Sequence, residues 1–153
     1  MPGERGRLPP EQGMHMAAGP LEDFRPPVKL KLSALWAAVM FCYVYADFFG
    51  LFQPGRLGRM NQGIIAPLGP ATPEVLLGVS VMMVVPSLMV FLALVLKPRI
   101  DRWANIILGS AYTIILILTA PGAPLFYLFF VIVEVALTLL IAWYAWRWPR
   151  DVS

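Results

Sequence analysis

The amino-acid sequence predicts an all-α membrane protein, a four-helix transmembrane bundle with up-down-up-down topology. Of the 153 residues, 59% are apolar and 14% are charged, whereas soluble domains average about 45–50% apolar and about 25% charged residues. Nineteen of the 21 charged residues lie outside four continuous apolar runs. The last three runs are joined by short connections, which favour antiparallel neighbours.

Each of the four runs is long enough to cross a bilayer as a helix. A helix that rises about 1.5 Å per residue needs about 20 residues to cross about 30 Å of hydrocarbon. The runs lack the alternation of apolar and polar residues that a membrane β-barrel requires. The predicted spans are residues 33–53, 75–96, 103–120 and 124–146, within a transmembrane domain of residues 33–148.

The residues before the first span differ sharply in composition from the rest of the chain. Residues 1–32 are rich in Pro, Gly and charged residues. They carry too little apolar surface to offset the entropy of ordering them. We therefore expect them to form a disordered cytoplasmic tail.

The distribution of cations predicts that both termini are cytoplasmic. Lys and Arg residues near the ends of spans are retained on the cytoplasmic side of the membrane. Ten of the twelve lie before the first span, between the second and third, or after the fourth, and only Arg56 and Arg59 lie in the remaining long loop. The five tryptophans lie toward the same predicted cytoplasmic ends, where indoles favour the interface.

The external loop of residues 54–74 is longer than the other connections and rich in Gly and Pro. Leu57, Met60, Ile64 and Ile65 would form the apolar side of a short helix that lies along the lipid headgroups. A cap over the bundle is the favoured interpretation, and a substrate lid is the alternative.

Two acids, Asp47 and Glu134, are the charged residues that lie well inside spans. Each costs about 2.5 kcal/mol or more in hydrocarbon, so such acids usually mark functional or buried polar sites. No Lys, Arg or His lies inside a span to neutralise them. If the first and fourth helices touch, the carboxyls are within reach of each other, and at least one should be protonated at neutral pH. Either a protonated carboxyl packs by hydrogen bonding to Tyr43, Tyr112 or Thr113, or the pair handles protons or cations.

Other polar and small residues are predicted to line the interior of the bundle, because such residues form helix contacts in lipid. They share one face of the third and fourth helices: Asn105, Gly109, Tyr112, Leu116, Thr138, Ala142 and Ala145. The intramembrane polar candidates are thus Asp47, Glu134, Tyr43, Asn105, Tyr112 and Thr113.

Pro86 is predicted to kink the second helix. It lacks a backbone donor in the middle of the span, and Ser87 is available to satisfy the carbonyl that is left free.

The sequence contains no pattern typical of a catalytic, cofactor or metal site: no Cys pair, His cluster, phosphate-binding Gly loop or nucleophile elbow. Cys42 is the single cysteine and His15 the single histidine. The pI near 9.3 is explained by cations that flank spans, so it does not indicate a nucleic-acid partner. We therefore expect no metal, no cofactor and no catalytic residue.

Five segments resemble a bacterial family of small four-span integral membrane proteins known as a domain of unknown function. They are KLKLSALW at 29–36, YVYAD at 43–47 with GLFQPG at 50–55, PSLMVFL at 86–92, RWANIILG at 102–109 and WYAWRWP at 143–149. The resemblance covers roughly Val28 to Pro149. It implies a multi-pass protein of the bacterial inner membrane whose pattern includes Asp47, Glu134 and the segment from Arg102 to Asn105.

Three classes of function are compatible with these observations. The first is a non-enzymatic membrane protein that acts through partners, membrane lipid or self-association. The second is a small proton-coupled transporter or channel that uses Asp47 and Glu134, with a small-molecule substrate that the sequence does not identify. The third, a membrane enzyme acting on a lipid or quinone, has no nucleophile or metal ligands to support it. Because four spans leave little room for a pathway within one monomer, a homo-oligomer is one expected arrangement.

Overall fold

The computed structural model describes residues 24–65 and 68–149, and the described chain is mostly helical. The helices are α1 (Val28–Gly50), α2 (Arg56–Asn61), α3 (Pro73–Val95), α4 (Pro98–Thr119) and α5 (Leu125–Trp146). Two short strands, β1 (Ile64–Ile65) and β2 (Gly69–Pro70), pair antiparallel. Within the described ranges, α1, α3, α4 and α5 are long and apolar enough to cross a membrane. The predicted fold class is confirmed.

Hydrogen bonds between helix ends show that successive spans run in opposite directions. The Lys29 ammonium at the start of α1 donates to the main-chain carbonyls of Leu94 and Leu96 at the end of α3. The Arg102 guanidinium near the start of α4 donates to two carbonyls in the last turn of α5. These four helix ends therefore meet at one end of the bundle, which we call the termini end. The other end carries α2 and the two strands, and we call it the hairpin end.

The four spans pack in the order α3, α1, α5, α4, and α3 meets α4 over a small area. The buried apolar core consists of Leu32, Trp36, Val39, Met89, Ala93, Tyr112, Ile141 and Ala145. Large apolar side chains cover the outer faces of the helices. In lipid this arrangement is favourable, because the hydrocarbon solvates those faces.

Gly109 allows α4 and α5 to approach closely. A Cβ atom at this position would lie 3.0 Å from the Thr138 carbonyl oxygen and 3.2 Å from the Ala142 nitrogen. Such an atom would push the α5 backbone away, so only glycine fits without displacement. The buried face of α4 also includes Asn105, Tyr112 and Leu116, which confirms the predicted interior stripe.

The first helix begins earlier than the sequence predicts. Of the predicted tail, residues 1–23 lie outside the described ranges, but α1 starts at Val28 rather than at residue 33. The apolar run that predicts the first span begins only at residue 33, after Lys29 and Lys31. In the structure Lys29 bonds the end of α3, and the Lys31 ammonium lies 5.3 Å from the centre of the Tyr144 ring. These contacts accommodate both cations within the helix.

The connection between the second and third spans is also shorter than predicted. The sequence suggests a loop at residues 97–102, but α4 begins at Pro98. Proline suits the first turn of a helix, where its missing N–H would have no partner in any case. As a result Asp101 is helical and fully buried.

The hairpin end combines a predicted and an unpredicted element. The short helix expected in residues 54–74 is present as α2. The pairing of β1 with β2 was not predicted. Gly63 precedes β1 and Gly69 is the first residue of β2, and their φ angles of 71° and 88° are readily adopted by glycine alone.

Candidate functional site

Glu134 lies in the interior of the bundle, on the face of α5 that also carries Val131, Thr138 and Ile141. Its residue surface is 2% exposed, and its Oε1 atom has no hydrogen-bond partner within the described ranges. Buried polar atoms are nearly always hydrogen-bonded. An unpartnered carboxyl oxygen in this position is therefore a feature that packing alone does not explain.

A cavity of about 70 Å³ adjoins Glu134. All four spans contribute to its wall: Tyr43, Ala46 and Asp47 from α1, Met82 and Met83 from α3, Tyr112, Ile115, Leu116 and Thr119 from α4, and Tyr127 and Glu134 from α5. Two acids thus share a wall with three tyrosines and several apolar side chains. The contact between α1 and α5 that the sequence required for the two acids to meet is present.

Asp47 lies nearer the hairpin end, and its side chain is 70% exposed. The Arg56 Nη2 atom is 3.9 Å from the Asp47 Oδ1 atom. The guanidinium approaches over Gly50, where a Cβ would collide with it. No cation lies inside a predicted span, but folding brings the Arg56 guanidinium of α2 next to Asp47. The cation beside Asp47 therefore comes from outside the spans.

Tyr112 satisfies a carbonyl that Pro86 leaves free. A proline cannot donate to the carbonyl four residues earlier, which here belongs to Met82. The Tyr112 hydroxyl donates to that Met82 oxygen across 2.5 Å. Ser87, which the sequence suggested for this role, donates instead to the Met83 carbonyl at 2.8 Å. A residue of another helix, and not a local neighbour, thus compensates for the buried proline.

Tyr43, Tyr112 and Thr113, the three partners considered for a protonated carboxyl, do not donate to the Glu134 Oε1 atom. Tyr112 is committed to Met82. The Thr113 hydroxyl donates to the Gly109 carbonyl at 2.8 Å and lies 2.7 Å from the Thr138 hydroxyl. Tyr43 lines the cavity beside Glu134, without a hydrogen bond that would satisfy the Oε1 atom. The tyrosines therefore surround the acid, whereas Thr113 serves the contact between α4 and α5.

A second buried polar cluster lies toward the termini end. The Asn105 amide nitrogen donates to the Asp101 carbonyl oxygen at 2.8 Å and to its Oδ1 atom at 2.7 Å. The Trp36 indole donates to the Asn105 Oδ1 atom at 2.7 Å. All three residues are fully buried, and the Asp101 Oδ2 atom has no partner among the described residues. Sequence reasoning identified Asn105 but missed the other two.

Trp36 and Asp101 were missed for different reasons. Trp36 was expected at the membrane interface with the other tryptophans, but its ring packs in the core, edge-on to Tyr112 with the ring centres 5.9 Å apart. Asp101 was assigned to a loop. Its spacing of four residues from Asn105 places it on the same helical stripe, and that signal could have identified it.

The two polar clusters are in contact through Tyr112. Its ring touches Trp36 of the termini-end cluster, and the same side chain lines the Glu134 cavity. Trp36 and Tyr112 therefore form a packed layer between the cavity and the termini end. The described residues contain no group of three or more His, Cys, Asp or Glu side chains that could hold a metal ion.

Comparison with protein families gives a match. The model of a family described as a family of unknown function (DUF6326) matches residues 23–153. No curated protein and no solved structure matches the chain. The matched region contains all four spans, the cavity and both polar clusters. Because the match covers most of the chain, the protein belongs to this family of unknown function, DUF6326.

Proposed function

We propose that this protein is a small proton-coupled transporter or channel, in which the Glu134 carboxyl takes up and releases the proton. The observation that carries the proposal is the buried, unpartnered Oε1 atom of Glu134 beside a cavity that Asp47 also lines. Leaving a buried acceptor unpartnered costs about 1–3 kcal/mol. A cost of this kind is typical of ionisable groups that serve a function inside a membrane protein.

The two ends of the cavity differ in a way that supports one-sided access. Toward the hairpin end lies Asp47, whose side chain is largely exposed. Toward the termini end Tyr112 lines the cavity and its ring packs against the buried Trp36. In this conformation the Glu134 carboxyl would exchange protons with the hairpin side, and release to the other side would require Trp36 and Tyr112 to separate.

The sequence also supplies the orientation and membrane for this proposal. Ten of the twelve cations lie outside the loop that contains α2, so we place both termini in the cytoplasm and the hairpin end outside. The resemblance to a bacterial family favours the inner membrane of a bacterium. Action through partners, lipid or self-association stays a prediction from the sequence. The cavity beside Glu134 supports a transporter or channel more specifically.

Proton movement can be measured in liposomes that contain the purified protein and an internal pH-sensitive dye. A pH gradient is imposed, with and without a membrane potential, in the presence of a panel of small cations, amino acids and sugars. We expect the wild type to dissipate the gradient with at least one member of the panel. Glu134→Gln keeps the shape of the side chain but cannot ionise, so it should abolish the flux while the protein elutes as folded material.

Glu74→Gln is the matched control, because it makes the same chemical change at an exposed position at the start of α3. This variant should behave as the wild type, and Asp47→Asn should lose less flux than Glu134→Gln because Asp47 is exposed. Wild-type flux equal to that of empty liposomes across the panel would refute the proposal. Equal flux in wild type and Glu134→Gln would refute it as well.

A further inference from the structure

The cavity beside Glu134 has the chemistry of a site for a small organic cation. We propose that it binds a monovalent cation of the size of guanidinium or methylammonium, which exchanges with the proton on Glu134. This inference rests on the proposed function, since it names the substrate class of the same site. Four features carry it: the lining, the volume, the unpartnered oxygen and the behaviour of Arg56.

The lining favours an organic cation over a metal ion. Two carboxyls and three tyrosines line the cavity without any Lys, Arg or His, and most of the remaining wall is apolar, including Met82 and Met83. A hard metal ion is held mainly by carboxylate, carbonyl and water oxygens, whereas this wall offers two carboxyls, of which Asp47 already lies beside Arg56, and is otherwise largely aromatic and apolar. An organic cation instead gains from aromatic rings and phenol oxygens together with a carboxylate partner.

The volume of the cavity limits the ligand to a few heavy atoms. A cavity of about 150 Å³ is known to bind benzene, which has six heavy atoms. The present cavity of about 70 Å³ has roughly half of that volume, which corresponds to about three heavy atoms. Methylammonium, with two heavy atoms, fits this limit and guanidinium, with four, lies at its upper edge, whereas a lipid, a quinone or a sugar is too large.

Glu134 provides the anionic partner inside the cavity. Its carboxyl is buried and its Oε1 atom has no hydrogen-bond partner within the described ranges. An N–H group of a bound cation would satisfy that oxygen with a charge-assisted hydrogen bond. The cavity therefore contains an acceptor for which the described residues supply no donor.

Arg56 shows that a guanidinium is accommodated next to Asp47. Its guanidinium lies over Gly50 and 3.9 Å from Asp47, and Asp47 is one of the lining residues. In this position Arg56 offsets the charge of Asp47. Removing the Arg56 charge should therefore leave Asp47 free to attract the ligand, and the affinity for a cation should rise.

The exchange conserves charge. When the cation enters, the O–H bond of the Glu134 carboxyl breaks, the proton leaves through the cavity to water, and the carboxylate pairs with the cation. The titratable groups near Glu134 are Cys42, Tyr43 and Asp47 from α1 and Tyr127 from its own helix. Tyr112 from α4 lines the same cavity, and Arg56 reaches Asp47 from α2. None of them is a permanent cation inside the cavity, so the proton or the ligand supplies the neutralising charge.

Calorimetric titration of the purified full chain in lipid nanodiscs tests the exchange, with guanidinium and methylammonium chloride as ligands. Repeating the titration in buffers of different ionisation enthalpy counts the released protons, which should be about one per cation bound. The affinity should rise roughly tenfold per pH unit over the range where Glu134 is protonated in the empty protein. Phenylguanidinium should not bind, because it exceeds the volume of the cavity.

Variants separate the contributions of the residues. Glu134→Gln should lower the affinity roughly 10- to 100-fold, the value of a hydrogen bond between charged groups. Asp47→Asn, at an exposed position, should lower it by a smaller factor and provides a second test if Glu134→Gln fails to fold. Arg56→Gln should bind more tightly, and Arg59→Gln, which alters an exposed residue of the same helix, should match the wild type.

The outcomes distinguish this inference from the proposed function. No binding of either cation, or binding without proton release, overturns the inference, and a Glu134-dependent proton flux would then leave the proposed function intact. Equal affinity in wild type and in both acid variants also overturns it, as does tight binding of phenylguanidinium. Binding with proton release, in a protein that moves no protons across liposomes, would support the site and refute transport.

Discussion

Replacing Asn105 with leucine should destabilise the bundle by about 2–5 kcal/mol. Leucine has the same branching as asparagine, so the change removes polar atoms with little change of shape. Asn105 connects the Trp36 indole to the Asp101 carboxyl through hydrogen bonds of 2.7 Å on each side. The substitution leaves both groups without that partner in the interior of the protein.

The magnitude follows from the two groups that lose their partners. An interhelical hydrogen bond in a membrane protein contributes about 0.6–1.7 kcal/mol, which applies to the bond from Trp36. The Asp101 Oδ2 atom has no hydrogen-bond partner among the described residues. Loss of the bond to Oδ1 therefore leaves a buried carboxyl without its side-chain hydrogen bond to Asn105, at about 1–3 kcal/mol. The Asp101 contribution is therefore expected to be the larger of the two.

The free energy of unfolding can be measured by titrating SDS into micelles that contain the protein and following its circular dichroism. Asn61→Leu makes the same change at an exposed residue of α2 and should stay within about 0.5 kcal/mol of the wild type. In a double-mutant cycle, Trp36→Phe and Asn105→Leu should be non-additive by about 0.6–1.7 kcal/mol. Full additivity, or a loss for Asn105→Leu no larger than for Asn61→Leu, would refute the reasoning.

Three further predictions concern packing, the helix proline and topology. Gly109→Ala should destabilise the protein by about 1–3 kcal/mol because its methyl group meets the α5 backbone. Gly78→Ala, where the added methyl group lies in open space, should be neutral or stabilising by up to about 1 kcal/mol. Equal midpoints of SDS unfolding for these two variants would contradict this. Tyr112→Phe should cost about 1–3 kcal/mol, because it leaves a proline-freed carbonyl without a donor, and an unchanged midpoint would argue against that role. Reporter fusions at Gly122 and Ser153 should report opposite sides of the membrane, and the same side for both would show that a span is wrong.

The sequence by itself determined the class of the molecule and the main elements of its fold. Continuous apolar runs, short connections and segregated charges are local properties of the chain, and they identify spanning helices without knowledge of packing. The same reasoning identified Glu134 as buried and the stripe around Gly109 as interior, because the helical period alone decides which residues share a face.

The boundaries of helices were less well determined. The α1 and α4 helices begin earlier than predicted, since Lys29 bonds main-chain carbonyls of a neighbouring helix and the Lys31 ammonium lies over a tyrosine ring. Whether a charged residue ends a span depends on whether another helix can accommodate the charge. That information is tertiary, and for this reason Asp101 was assigned to a loop although it is fully buried.

Only the tertiary structure decided which partner each polar group has. The helices pack in the order α3, α1, α5, α4. This packing brings Tyr112 to the Met82 carbonyl freed by Pro86, Arg56 to Asp47, and Trp36 to Tyr112 in the core. The two residues of each contact lie on different elements, so no local sequence pattern encodes the contact. Side-chain partners follow from the relative positions of helices, whereas the existence of the helices follows from composition, because lipid requires every spanning segment to satisfy its own backbone.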